Sequence, residues 1–129
     1  MIKKIAAFSL FLFLAFASNV LANKTETGLA GPESAAAGAE VTITVNISHR
    51  GNSAFHHTDW VRVKADGVEI ARWDFKSSSR PESEKFSREV KFTVTKPVEI
   101  TAEGHCNLHG SQGPAVLKIN LKDSGEVHP

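Results

Sequence analysis

Cysteine is scarce in this sequence, which has one Cys beside six His among its 129 residues. A single Cys cannot form a disulfide within the chain, so it is a free thiol, an intermolecular partner or a metal ligand. Charge of one sign is also lacking, because 15 Lys and Arg nearly balance 14 Asp and Glu. That balance argues against a nucleic-acid-binding protein, whose binding face is normally basic. A phosphate-binding Gly-rich loop and a Gly-x-Ser-x-Gly element are absent as well.

The only long apolar stretch is too short to cross a membrane. It runs from Ile5 to Ala17, whereas a membrane-spanning helix needs ~20 residues. Lys3 and Lys4 precede it, and Val20-Leu21-Ala22 follows as a cleavage site, which together is typical of a secretory signal peptide. We therefore expect residues 1–22 to be removed and the protein to be exported, to the periplasm in a bacterium, with no membrane attachment. The remaining 107 residues lose two Lys and no acid, so their formal net charge is −1.

The rest of the sequence alternates as β-strands do. Residues 40–47 alternate β-branched apolar with polar side chains, which is the period-two pattern of a half-buried strand. Asp66-Gly67 is a tight-turn dipeptide and predicts a hairpin. The other predicted strands cover residues 59–64, 68–75, 86–94, 98–102 and 115–121.

These strand signals predict an all-β fold. We expect residues 40–122 to form a single immunoglobulin-like, antiparallel β-sandwich of about seven strands. Residues 23–39 are small and polar and are expected to be an extended lead-in, and residues 123–129 a polar tail.

Five of the six His and the only Cys lie in two clusters. The first cluster, in the predicted loop after the first long strand, contains His49, His56 and His57, and the second, before the last strand, contains His105, Cys106 and His109. Thiolate and imidazole are ligands that suit iron, copper and zinc. Because loops at one end of a sandwich lie side by side, the two clusters can form a single metal site.

Two pairs of neighbours compete for places in this site. Adjacent residues of an extended chain point to opposite sides, so we expect His56 rather than His57, and Cys106 rather than His105, to face an ion. A single loop His is more often solvated, and a single Cys more often a buried apolar residue. The combination of residues therefore favours a metal, rather than any one of them.

The second cluster also carries a family signature. Cys106-Asn107-Leu108-His109-Gly110 resembles the Cys-Asn-x-His-Gly motif of the desulfoferrodoxin and neelaredoxin family, the superoxide reductases. His56, four residues before Trp60, is similar to the second loop His of that family, and the resemblance spans roughly residues 40–121. It implies an immunoglobulin-like fold and one iron with four equatorial His, an axial Cys thiolate and an open position for superoxide.

The resemblance implies a role for each matching residue. Cys106 would be the axial ligand and the catalytic residue, and His49, His56 and His109 would be equatorial ligands. The implied reaction reduces superoxide to hydrogen peroxide with one electron from Fe(II). An unidentified electron donor must then return the iron to Fe(II).

The sequence departs from the family at the fourth equatorial His. The family places that His in a Glu-Lys-His loop before the first long strand, where this sequence has residues 31–34, Gly-Pro-Glu-Ser, and no His. Substitutes for the Lys of that loop are Lys24 and Arg50. Candidates for the missing ligand are water, His57, His105 and Glu33.

Two other functions are compatible with the same residues. A blue-copper electron carrier would use His49, Cys106 and His109, with Gln112 as a weak axial ligand. A non-enzymatic β-sandwich would hold zinc in a degenerate site or bind no metal.

Overall fold

The structure is a computed structural model that describes residues 24–122. The predicted signal peptide, the predicted polar tail and His128 lie outside these residues. All regular elements of the described part are strands, and none of its segments is a helix able to cross a membrane. The strands are β1 (Glu26–Ala30), β2 (Ser34–Ala35), β3 (Ala39–Ser48), β4 (Thr58–Ala65), β5 (Val68–Asp74), β6 (Lys85–Val94), β7 (Val98–Cys106) and β8 (Ala115–Leu121).

The strands form two sheets that pack face to face. One has three antiparallel strands in the order β1-β3-β6, and the other has five in the order β2-β8-β7-β4-β5. All pairs in the larger sheet are antiparallel except β2 with β8. The predicted all-β sandwich is confirmed, with eight strands where about seven were expected.

The core lies between the sheets and consists mainly of Val and Ile side chains. Alternation along β3 buries Ile43, Val45 and Ile47 while the residues between them face outward. Each such side chain contributes roughly 1.5–3 kcal/mol when fully buried. The other fully buried members from the opposite sheet are Val61, Val63, Ile100 and Ile119.

The segment that was expected to be an extended lead-in supplies β1 and β2. β1 pairs with β3 along its whole length, and the chain then crosses to the other sheet, where β2 joins β8. The Gly, Ala and Ser residues here lack apolar alternation, so only the backbone pairing defines these strands.

The connections differ between the two ends of the sandwich. At one end, the turn end, residues 36–38, 66–67 and 95–97 form short connections. At the other, the loop end, the β3–β4 loop (49–57), the β5–β6 loop (75–84) and the β7–β8 loop (107–114) are each at least eight residues long. β3 and β7 both run toward the loop end, so the two His and Cys clusters meet there.

Candidate metal centre

Hydrogen bonds from backbone and side chains join the three loops of the loop end. The amide of Asn52 in the β3–β4 loop donates from Nδ2 to the carbonyl of Pro81 in the β5–β6 loop, at 2.9 Å. The backbone N–H of His49 donates to the carbonyl of Glu84, also at 2.9 Å. The β5–β6 loop, which has no sequence motif, therefore supports the loop that carries the first His cluster.

Asn107 joins the β3–β4 loop to the β7–β8 loop. Its Oδ1 accepts the N–H of His57 at 3.0 Å, and its Nδ2 donates to the carbonyl of Phe55 at 3.1 Å. Its own N–H donates to the carbonyl of His57 at 3.1 Å. These bonds hold the backbone on both sides of His56, so they fix that ring relative to Cys106.

Four of the predicted ligands lie together at this junction. The ligand atoms of His49, His56 and Cys106 are all within 4.8 Å of one another. His49 is 3% exposed and Cys106 is fully buried, and the rings of His49 and His56 meet edge to face at 4.7 Å. His109 completes the group from the exposed side, with Nδ1 3.2 Å from Nε2 of His56 and 3.8 Å from the sulfur of Cys106.

The backbone folds tightly around the sulfur of Cys106. The N–H groups of Leu108 and His109 donate to Sγ at 3.4 Å and 3.3 Å. Cys106 and Gly110 exchange two backbone hydrogen bonds, which close the loop beneath the sulfur. Hydrogen bonds to a metal-bound sulfur help to set the redox potential of the metal.

Gly51 allows the β3–β4 loop to pass against the ring of His56. Its φ is 136°, and a Cβ at this position would lie 2.6 Å from Nδ1 of His56. Only glycine satisfies both the backbone angle and this clearance. The sequence alone does not show that Gly51 contacts a candidate ligand.

The two candidates for a fourth imidazole do not join the group. His57 is 4% exposed, and its Nδ1 lies 3.1 Å from the carbonyl oxygen of Ser53. His105 lies on the outer face of β7, with Nδ1 2.7 Å from Oδ1 of Asp59 and its ring stacked on Trp60 at 4.9 Å. The ring of His57 thus contacts its own loop, and the ring of His105 lies on the face of β7 opposite Cys106.

The remaining candidates lie in different places. Glu33 is at the turn end, since its carbonyl accepts the N–H of Asn120 at the far end of β8. Gln112 is exposed, and its N–H donates to the carbonyl of Thr25. Thr25 pairs with the β7–β8 loop, so Lys24 lies at the loop end, as does exposed Arg50.

This donor set fits a transition metal. A thiol and three imidazoles suit iron, copper and zinc, whereas calcium and magnesium prefer oxygen ligands. The group of His49, His56 and Cys106 contains no carboxylate. The site also lies at one end of the sandwich, with the buried thiol of Cys106 on its inner side and the exposed imidazole of His109 on its outer side.

The fold and the site thus define an immunoglobulin-like β-sandwich with a thiol–imidazole centre at one end. The sequence model of the desulfoferrodoxin family matches residues 25–112, and the chain belongs to that family. None of the curated proteins matches the chain in sequence.

Solved structures share this fold at low sequence identity. A superoxide reductase (neelaredoxin) from Ignicoccus hospitalis has a TM-score of 0.64 and 21% identity, over 77% of this chain and 83% of that chain. A CARDB domain from Pyrococcus furiosus, in complex with di-metal ions, has a TM-score of 0.56 and 14% identity, over 78% and 94% of the two chains. Fibronectin(III)-like modules of Clostridium thermocellum CbhA have a TM-score of 0.56 and 18% identity, over 82% and 50%.

Proposed function

We propose that this protein binds one iron ion through His49, His56, His109 and Cys106 and reduces superoxide to hydrogen peroxide. The observation that supports this most directly is the convergence of three imidazoles and one thiol at the loop end, in a chain of the desulfoferrodoxin family. The iron would supply one electron and a binding position for superoxide, and two protons complete the peroxide.

Cys106 is the catalytic residue of this proposal. Its sulfur is fully buried, so bulk solvent does not reach it. A thiolate ligand would donate more electron density to the iron than an imidazole does, which makes Cys106 the residue that tunes the metal most strongly. The N–H groups of Leu108 and His109 hold the sulfur in place and moderate that donation.

The exposed side of the site is the entrance for the anion. His49 and Cys106 close the inner side, whereas His109 is exposed to solvent. Lys24 and Arg50 are cations at the same end, and cations near a site raise the local concentration of a small anion. Both residues therefore serve to attract superoxide.

Each turnover consumes one electron, so the reaction requires a reduced electron donor. Residues 1–22 direct the protein to the periplasm, where it encounters superoxide. Amino-terminal sequencing of the mature protein from cells tests this part: the expected first residue is Asn23, and retention of Met1 would contradict export.

Anaerobic purification from the native host, followed by metal analysis and optical and paramagnetic spectra, tests the metal. We expect about one iron per chain and a thiolate-to-iron absorption band that disappears in Cys106→Ala. The iron-loaded, reduced protein should consume superoxide in proportion to its iron and produce an equal amount of hydrogen peroxide.

Other outcomes would favour the other functions. An intense blue Cu(II) form without stable iron binding would indicate a copper electron carrier. Zinc, or no metal together with a melting temperature that chelators leave unchanged, would indicate a non-enzymatic β-sandwich.

A further inference from the structure

The described part of the chain brings four donors to the site, which is fewer than the six positions that iron can offer. Besides His49, His56, Cys106 and His109, the β3–β4 loop carries the imidazole of His57. That residue is 4% exposed and its Nδ1 lies 3.1 Å from the carbonyl oxygen of Ser53, so turning the ring toward the metal would break this contact and repack a buried side chain.

His105 is separated from the site by the sheet itself. It is adjacent to Cys106 in sequence, but its ring is on the opposite face of β7, paired with Asp59 and stacked on Trp60 with 6° between the planes. To reach the metal, it would have to invert the end of a strand that pairs with β4 up to Cys106. Both imidazoles therefore have other partners than the four donors.

Iron that has fewer than five protein ligands can bind an organic molecule through two atoms. Non-haem iron centres with three protein ligands keep several positions open for exogenous ligands. On a six-coordinate iron, the four donors of the described residues would leave two positions. We propose that this site binds a small organic anion that chelates the metal through two adjacent oxygen atoms. This inference depends on the proposed iron site and extends it to a second class of ligand.

The two loop tips that carry the donors also carry exposed apolar side chains. Phe55 is 84% exposed and Leu108 is 61% exposed, although both are large apolar residues. They lie directly beside His56 and between Cys106 and His109 in sequence, and Asn107 ties the two loop tips together. Both residues therefore belong to the loop tips that hold the donors, and the proposal has the carbon skeleton of the chelating ligand pack against these two side chains, the apolar rim.

Catechol and phenol form a matched pair of probes for two open positions. They share one aromatic ring and differ in whether a second adjacent oxygen is present. Titration of the oxidised, iron-loaded protein, followed by its optical spectrum, should show that catechol binds at least about 100-fold more tightly than phenol, because the second oxygen binds intramolecularly. The thiolate-to-iron band should persist, and the iron should stay with the protein on gel filtration.

Three variants test whether another His occupies the second position. His57→Ala, His105→Ala and, beyond the described residues, His128→Ala should each leave the iron content and the catechol-to-phenol ratio unchanged. A variant that loses iron, or that gains catechol affinity, would identify a fifth protein ligand and overturn the inference.

Substitutions at the rim test the apolar contact. Phe55→Ser combined with Leu108→Ser should weaken catechol binding about tenfold, because apolar surface is no longer covered, and should leave azide binding unchanged. Equal losses for catechol and azide would instead indicate damage to the metal site and overturn the role of the rim.

The failures of the two proposals can be distinguished. Catechol and phenol affinities within threefold of each other, or removal of the iron by catechol, would overturn this inference while superoxide reduction by the iron-loaded protein still stands. Absence of an iron–thiolate centre would overturn both.

Discussion

The turn end and the loop end of this sandwich use the same strands in different ways. At the turn end, two- and three-residue connections leave little backbone outside the sheets, and Asp66 and Gly67 adopt the positive φ values of a tight hairpin turn. At the loop end, three connections of eight or more residues hold one another through Asn52 and Asn107. The turn end contributes to the fold, whereas the loop end positions the donors.

This difference predicts that folding stability and metal affinity depend on different residues. Buried Val and Ile side chains hold the sheets together, and none of the four donors belongs to this core cluster. The donors depend instead on a few directional hydrogen bonds and on the ion itself, so the loop end should be the less stable part in the absence of metal.

The largest expected effect on stability comes from a substitution near the turn end. Ile100 is fully buried, and Ile100→Ala should lower the free energy of unfolding by about 2–5 kcal/mol. Urea unfolding followed by circular dichroism measures it. The folded variant should keep the wild-type iron content and thiolate band, and loss of that band would show that the two ends are not independent.

Gly51→Ala should have the largest effect on the metal among substitutions outside the ligands. The added Cβ would approach Nδ1 of His56 to 2.6 Å at a positive φ, so the ring must move. We expect metal affinity to fall by about 100-fold, the upper range for residues that orient a ligand, as measured by competition with a chelator.

Gly38→Ala is the matched control for this substitution. Its φ is also positive, 88°, but no atom lies within 4 Å of the added Cβ, and it is at the turn end. It should cost about 1 kcal/mol of stability through backbone strain and leave metal affinity unchanged. Equal metal loss in both variants would show that strain alone, rather than contact with His56, is responsible.

Asn107→Ala should have a smaller effect on the metal. It removes the side-chain bonds to Phe55 and His57 and the 3.9 Å contact between Oδ1 and the sulfur of Cys106. The backbone bond remains, so His56 gains freedom without a clash. Metal affinity should fall by about tenfold. Asn120→Ala, at the turn end, should leave it unchanged, and an Asn107→Ala protein with wild-type affinity would contradict the positioning role.

The smallest effect concerns a pair in and beside the β5–β6 loop. Hydrogen bonds from Arg88 lower the pKa of the Glu82 carboxyl. Because the folded pKa is below the unfolded one, about 4.3, the pair stabilises the protein above that pH, and this contribution is lost as the pH falls through the folded pKa. Glu82→Gln should therefore lower the free energy of unfolding by less than about 1 kcal/mol at pH 7, and by progressively less toward pH 3. Urea unfolding measures this difference, with Glu89→Gln as the control.

The sequence predicted the sandwich because its strands alternate. Ile43, Val45 and Ile47 repeat with period two, and that repeat specifies which face is buried regardless of the partner strand. β1 and β2 could not be predicted in the same way, since Gly, Ala and Ser side chains carry no such repeat and their pairing is set by backbone bonds to β3 and β8.

The candidate site was also predicted only in part. The side chains of His49, His56, Cys106 and His109 are typical metal ligands. The alternation of side chains favoured His56 over His57 and Cys106 over His105. The supports could not be inferred, because Asn52 and Pro81 are 29 residues apart and show no motif. Glu33 lies in the segment where the family has its fourth His, yet the described chain starts at the loop end and crosses to the turn end before reaching it.

The fully buried sulfur of Cys106 is the only thiol in the sequence, which makes it a built-in reporter. An alkylating reagent can modify the protein only when the β3–β4 and β7–β8 loops separate, and each modified molecule gains the mass of one adduct. The alkylation rate of the metal-free protein, compared with that of an unfolded control, therefore gives the fraction of time that the loops are apart. Adding metal should slow the reaction in proportion to its occupancy, so mass spectrometry reads binding and loop opening in one measurement.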